Sequence, residues 1–189
     1  FLPSGIAQEA LLKYLLRLSG LLWQTSLSSR LRLYNLNYEQ LPHLRLGGTR
    51  EAFSTLQARK KKSLEYVAIK QTDRSRRKKV LNEAKILSDL SHSNLIRFHD
   101  WVETKNHLWV ITEYCPGGDL LTLIEQDKSL PEKTVKTFVR EIIQGLQYLH
   151  SNGVIVVDLK PANILINEYG NLKLSDMGSA RKLTDMMQN

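Results

Sequence analysis

The chain has 189 residues, 42% of them hydrophobic, with 27 Lys and Arg against 19 Asp and Glu for a net charge of +8. That apolar share excludes disorder as the default, and the length allows one or two domains with a sizeable core. Cys115 is the one cysteine, which excludes an internal disulfide and points to a reducing, cytoplasmic compartment; His92, His99 and His107 show no zinc-ligand spacing.

Residues 1–45 read as an N-terminal extension. Ile6 to Trp23 is leucine-rich, with Glu9, Lys13 and Arg17 four apart, which predicts an amphipathic helix. The longest uncharged run of this segment, Leu18 to Ser29, has twelve residues including Ser19, Gly20 and Gln24. It is too short and too polar to span a bilayer, so no transmembrane segment is expected. A packing extension, sequence foreign to the domain, and a cleaved targeting or membrane-surface helix all stay open.

From Tyr38 onward a strand-rich block precedes a helix-rich one. Strands are predicted over residues 64–70, 95–102 and 108–113, with a helix over 77–90 between the first two. Pro131 then opens a long helix that ends near Gly153. Its Val135, Phe138, Val139, Ile142, Ile143, Leu146 and Leu149 predict a broad buried stripe. Ile164–Ile166 and Leu172–Leu174 flank the turn residues Asn167 to Asn171, a hairpin. Between Arg59 and Lys79 stand ten Lys/Arg against Glu65 and Asp73, a local excess equal to the whole net charge. A solvated hairpin tip and helix start would explain it, and so would a docking patch for an acidic partner or microtubule surface. Tyr66 is the one aromatic in that run, so nucleic-acid stacking is not indicated.

The chemistry concentrates in Val157-Asp158-Leu159-Lys160-Pro161-Ala162-Asn163 and Asp176-Met177-Gly178. Asn163 stands five residues after Asp158, and Asp176 thirteen after Asn163. Phosphoryl transfer asks a protein mainly to orient a hydroxyl and to clamp the charge of ATP with metal ions. In that scheme Asp158 accepts the substrate proton, Lys160 meets the γ-phosphate, and Asn163 and Asp176 hold Mg2+. Upstream, Val67-Ala68-Ile69-Lys70 reads as a strand delivering Lys70 to the phosphates, and a helix through Val80 to Leu87 can bring Glu83 to Lys70 as an ion pair. Leu108 to Glu113 then runs into Tyr114-Cys115-Pro116-Gly117-Gly118, a hinge between two lobes.

In this order the elements identify a resemblance. From residue 55 to 183 the chain resembles a eukaryotic protein kinase, in detail the unc-51-like/Fused group and its RUNKEL-type members. The likeness continues through Ala58 to Tyr66, Val102 to Trp109, Glu113 to Leu120 and Tyr148 to Gly153. It implies an α+β, bilobal protein-kinase-like fold over residues 46–189, with a strand-rich N-lobe over 46–113 and a partial helical C-lobe over 114–189. It implies that Glu113 and Cys115 offer backbone hydrogen bonds to adenine, that Thr112 is the gatekeeper, and that Asp119 faces the ribose. Ala68, Leu165, Gly47 and Gly48 complete the nucleotide-contacting set. The implied activity is transfer of the γ-phosphate of ATP to serine or threonine hydroxyls of a protein substrate.

The chain departs from the pattern at four places. Val156 and Val157 stand where the family has His and Arg; valine can fill an apolar slot but cannot bind a phosphorylated loop as an arginine fork does. Leu46-Gly47-Gly48-Thr49-Arg50-Glu51-Ala52-Phe53 is a glycine-poor version of the loop that lets backbone N–H groups approach phosphates. Met177 replaces phenylalanine in D-F-G, a mild change. Asn189 comes eleven residues after Gly178, so a fragment inactive by itself is expected. The rival reading is a nucleotide-binding pseudokinase or scaffold.

Overall fold

A computed structural model of the chain describes residues 38–46 and 53–186. The predicted helix within residues 1–45, and Gly47 and Gly48, lie outside the described residues. Five strands form one antiparallel sheet in the order β1-β2-β3-β5-β4: β1 (Tyr38–Leu46), β2 (Phe53–Lys60), β3 (Tyr66–Asp73), β4 (Phe98–Glu103) and β5 (His107–Glu113). In β3, Val67 and Ile69 are buried while Ala68 and Lys70 project from the opposite face, as the two-residue period of a strand dictates. Ala68 pairs across to Thr112 and Lys70 to Val110. The lysine, the small residue before it and the expected gatekeeper therefore share one face of the sheet.

β1 starts at Tyr38, opposite Lys60, so the sheet reaches back into the segment read as an extension. Its pairing with β2 shifts register between Gln40 and Arg45. That interval contains Pro42, which lacks an N–H and is at home in an edge strand.

Between β3 and β4 the chain forms a 3-10 turn, Arg74–Arg76, and helix α1 (Arg77–Leu87). Asp73 caps the turn by accepting from the Ser75 N–H at 2.8 Å. α1 buries Val80, Glu83, Ala84, Ile86 and Leu87 and ends three residues before the predicted limit at 90. Ser88, Asp89 and the Ser91-His92-Ser93-Asn94 run are residue types whose side chains favour caps and turns over helix interiors. The predicted strand over 95–102 likewise starts late, at Phe98. Leu95 instead bridges in parallel to Leu174, and the Ile96 N–H donates to the Leu174 carbonyl at 2.9 Å. Leu95 and Ile96 are both buried, and their backbone is engaged with β8 of the other lobe instead of with β5.

The C-lobe comprises α2 (Leu120–Asp127), α3 (Glu132–Ser151), β6 (Val154–Ile155), the hairpin β7 (Ile164–Ile166) and β8 (Leu172–Leu174), and β9 (Arg181–Lys182), which pairs with β6. Its core gathers Leu95, Leu149, Ile164, Leu172, Leu174 and Met177 beneath α1 residues Ile86 and Leu87. Pro131 stands as the N-cap of α3, and Gly153 follows its end in the left-handed conformation, φ 68°. Gly145 lets α3 approach β8, for a Cβ there would fall 2.8 Å from Leu174 Cδ1.

The α3 stripe is only half covered, contrary to the sequence expectation. Leu149 is buried and Phe138, Ile142 and Leu146 pack on the core. Val135, Val139 and Ile143 are 41%, 48% and 48% exposed. Helical periodicity tells which face is apolar, and among the described residues no element covers this part of it.

The basic run is likewise not one patch. Lys60, Lys61 and Lys62 sit at the β2–β3 turn, whereas Arg74, Arg76, Arg77, Lys78 and Lys79 follow the far end of β3. At ~3.3 Å per residue the eight-residue strand holds the groups roughly 23 Å apart. Glu103 pairs with both Arg74 (2.7 Å) and Arg77 (3.2 Å), and Glu65 with Lys60 (3.7 Å), so part of the charge is answered locally.

Candidate active site

Three segments meet at one ammonium group. β3 carries Lys70, α1 carries Glu83, and the segment after β8 carries Asp176. Lys70 Nζ lies 3.7 Å from Glu83 Oε2 and 3.7 Å from Asp176 Oδ1. Glu83 is 5% exposed, and burial raises its pKa above the ordinary glutamate value, against the lowering pull of Lys70. An ionised carboxylate in that position depends on its lysine.

Asp176 adopts the left-handed conformation, φ 56° and ψ 68°. For a residue with a Cβ this backbone costs roughly 1–3 kcal/mol and persists where the surroundings hold it. The surroundings here are specific. Asn82, the neighbour of Glu83 on α1, donates from Nδ2 to the carbonyls of Met177 (3.2 Å), Gly178 (3.2 Å) and Ala180 (2.8 Å). Met177 is buried in the core, filling the phenylalanine slot as expected of a flexible apolar side chain.

A fourth segment is the loop between β6 and β7. Asn163 donates from Nδ2 to the Asp158 carbonyl at 2.9 Å and lies 3.4 Å from Asp158 Oδ2. That contact turns the Asn163 amide oxygen away from Asp158. Ser175, the residue before Asp176, donates to the Asn163 carbonyl from both its N–H (2.9 Å) and its Oγ (2.8 Å), tying the two segments together. Asp158 is exposed; its pKa is lowered chiefly by a hydrogen bond from Lys160, whose Nζ stands 2.9 Å from Oδ2. Val156 packs against the core in the slot expected for an apolar residue, while Val157 is 57% exposed.

An Asp carboxylate and an Asn amide oxygen are hard donors suited to Mg2+, which completes its octahedron with phosphate oxygens and water. Among the described residues no group of three His, Cys, Asp or Glu could hold a metal by itself. The donor chemistry of the pair fits an ion that completes its shell with nucleotide phosphates.

The hinge side is built by glycines. Gly117 N–H donates to the Ile166 carbonyl at 3.0 Å, and the Ile166 N–H donates to Gly118 at 2.9 Å. Asp119 bridges to Leu165, so these two expected nucleotide contacts are adjacent. The Asp119 carboxylate also caps α2, accepting from the Thr122 N–H (2.8 Å) and Oγ1 (3.0 Å). The Glu113 carboxylate points behind the hinge, toward a cavity of about 480 Å3, where it accepts from the Arg97 N–H (2.8 Å) and Lys173 Nζ (2.9 Å). Its backbone N–H donates to the Arg97 carbonyl at 2.9 Å, and its carbonyl accepts from Thr112 Oγ1 at 3.3 Å. Cys115 is buried with its pKa pushed up to about 12, mainly by desolvation, which makes it a poor nucleophile. His92 stacks on Tyr148 at 4.8 Å and accepts from the Asn94 N–H at 3.0 Å, a framework role.

Lys70, Glu83 and Asp176 thus meet, as do Asp158, Lys160 and Asn163, with Ala68 and Thr112 on the sheet face above and Leu165 beside the hinge. Sequence reasoning missed Asn82 and Ser175. Their one available signal was adjacency, each standing immediately before a predicted site carboxylate.

A β-sheet lobe and a helical lobe joined at a hinge, with a lysine clasped by two carboxylates, define a protein kinase domain. The family model for the protein kinase domain matches residues 47–188, and the chain belongs to that family. Three of its relatives are named serine/threonine-protein kinases. RUNKEL of Arabidopsis thaliana is 50% identical over 131 residues, covering 69% of this chain and 10% of that protein. ULK4 of Mus musculus is 39% identical over 123 residues, 65% of this chain and 9% of the relative. CLA4 of Candida albicans is 41% identical over 124 residues, 63% and 13% respectively. The chain spans about a tenth of the length of these relatives.

Proposed function

We propose that this domain transfers the γ-phosphate of ATP to serine or threonine hydroxyls of a protein substrate. The observation that carries the reading is Lys70, whose ammonium stands 3.7 Å from the carboxylates of both Glu83 and Asp176. Lys70 meets the nucleotide phosphates, and Glu83 holds Lys70 in place. The Asp158 carboxylate, kept ionised by Lys160, accepts the hydroxyl proton as the substrate oxygen bonds to the γ-phosphorus and the bond to the ADP oxygen breaks. The Lys160 ammonium, beside Asp158, balances charge at the transferring group. Asn163 and Asp176 hold Mg2+, which when bound neutralises phosphate charge. Adenine lies between Ala68 and Leu165 against the backbone of Glu113 and Cys115, Asp119 reaches the ribose, and Gly47 and Gly48 approach the phosphates. An acidic partner, such as a microtubule surface, suits the cations at the start of α1. A buried lone thiol accords with a cytoplasmic setting, and among the described residues no helix is long and apolar enough to cross a membrane.

The test is phosphate transfer from labelled ATP to a generic serine/threonine substrate by this chain and by a longer version of it. Asp158→Asn should lower the rate by 10²-fold or more, the scale of a lost general base. Mg-ATP binding with no transfer from either version would replace the proposal with a nucleotide-binding scaffold.

A further inference from the structure

We infer that Asn82 is a positioning residue for Asp176: its amide on α1 clamps the three carbonyls of Met177, Gly178 and Ala180 and so holds the metal-binding carboxylate in its left-handed backbone. The inference rests on the proposed role of Asp176 in holding Mg2+. Three observations support it. One nitrogen with two hydrogens serves three carbonyl oxygens at 3.2, 3.2 and 2.8 Å. The amide orientation follows from chemistry, since the alternative would set the Asn82 oxygen against those same carbonyls. Gly178 also lies close to α1, a Cβ there falling 3.3 Å from Lys79 Cβ and 3.4 Å from the Lys79 carbonyl, so the segment is pressed to the helix as well as bonded to it.

The consequence is a double connection between α1 and the Asp176 segment through consecutive residues. Glu83 reaches Asp176 through Lys70, an ionic link that nucleotide phosphates would share. Asn82 reaches the backbone immediately after Asp176 directly and involves no charge. The first link sets where the carboxylate points; the second keeps the φ 56° turn from relaxing.

The experiment compares Asn82→Ala, Asn82→Leu and Asn82→Asp with wild type in the full 189-residue chain. Two quantities are read: ATP affinity with Mg2+ and with EDTA, and amide exchange in residues 177–182 relative to strands β2 and β3. A lost outer-shell partner costs ~10–100-fold in metal-dependent affinity. Ala and Leu should lose about that factor with Mg2+ and little in EDTA, and Asp, which turns a carboxylate toward three carbonyls, should be worst. All three should exchange faster in 177–182 with β2 and β3 unchanged. If volume alone mattered, Leu and Asp would stay near wild type and Ala would be worst, which overturns the inference. So does unchanged exchange, or quicker exchange with the Mg2+ dependence intact. If wild type takes up no Mg-ATP at all, the phosphoryl-transfer reading falls, and exchange then decides the clamp on its own: faster in 177–182 supports it, unchanged overturns it.

Discussion

Glu83 sets up an unusual opposition between binding and stability. Its pKa is raised in the folded protein above the 4.5 of a free glutamate, because burial outweighs the attraction of Lys70. The folded state therefore holds the proton more tightly than the unfolded one. Its contribution to stability is fullest below pH 4.5 and is lost as pH rises through the folded value. Its service to Lys70 runs the other way, since only the ionised carboxylate can pair. We expect Mg-ATP affinity to fall as pH drops through a value above 4.5 while this group's share of thermal stability grows. Glu83→Gln should flatten both trends, as read by nucleotide titration and thermal melts across that range. An acid limb that persists in the variant would have to come from another group. Asp158 is a poor candidate for it, because Lys160 lowers its pKa and keeps it ionised at more acidic pH.

Among the elements, the junction between hinge and β7 is the least tolerant. A Cβ on Gly117 would lie 2.7 Å from Ile166 Cβ and 2.9 Å from the Ile166 carbonyl, with the backbone already bonded there. Gly117→Ala should destabilise the domain by about 1–3 kcal/mol, the usual cost of forcing atoms into a filled site. It should weaken nucleotide binding more than Gly118→Ala, whose Cβ would meet nothing within 4 Å but whose φ of 72° is itself strained. Calorimetry and ATP titration on the two variants check this. The same junction shows what sequence can reveal. Lys70, Glu83, Asp158, Asn163 and Asp176 were picked out because the proposed transfer chemistry asks for those side chains in that order, and the fold brings Lys70, Glu83 and Asp176 together and sets Asn163 beside Asp158. The hairpin of β7 and β8 was legible from its turn residues. Asn82 and Ser175 were not, because a polar residue beside a carboxylate is ordinary until its partners, 95 to 98 residues away for Asn82 and twelve for Ser175, are known. The start of β1 was obscured by Pro42, which argues against a strand unless the strand is known to be an edge.

At the scale of the whole molecule, the exposed half of the α3 stripe is the feature that invites association. Val135, Val139 and Ile143 line one side of a 20-residue helix, and Leu121 and Ile124 of α2 are 39% exposed as well. Apolar side chains exposed together along one helix are the natural place to test for association. Val139→Lys should change stability by no more than about 0.5 kcal/mol, as surface substitutions do. It should also reduce any concentration-dependent self-association seen by light scattering. Association that is unchanged in the variant would point to a different face.

Among the described residues the lobes meet at the Cys115–Gly118 crossing and at the 94–96 stretch laid against β8. The Glu113–Lys173 pair at 2.9 Å and the Asn82 amide add two more ties between them. A joint tied at four places resists rotation as well as translation, so any parting of the lobes must either break the Asn82 tie or carry the Asp176 segment along with α1.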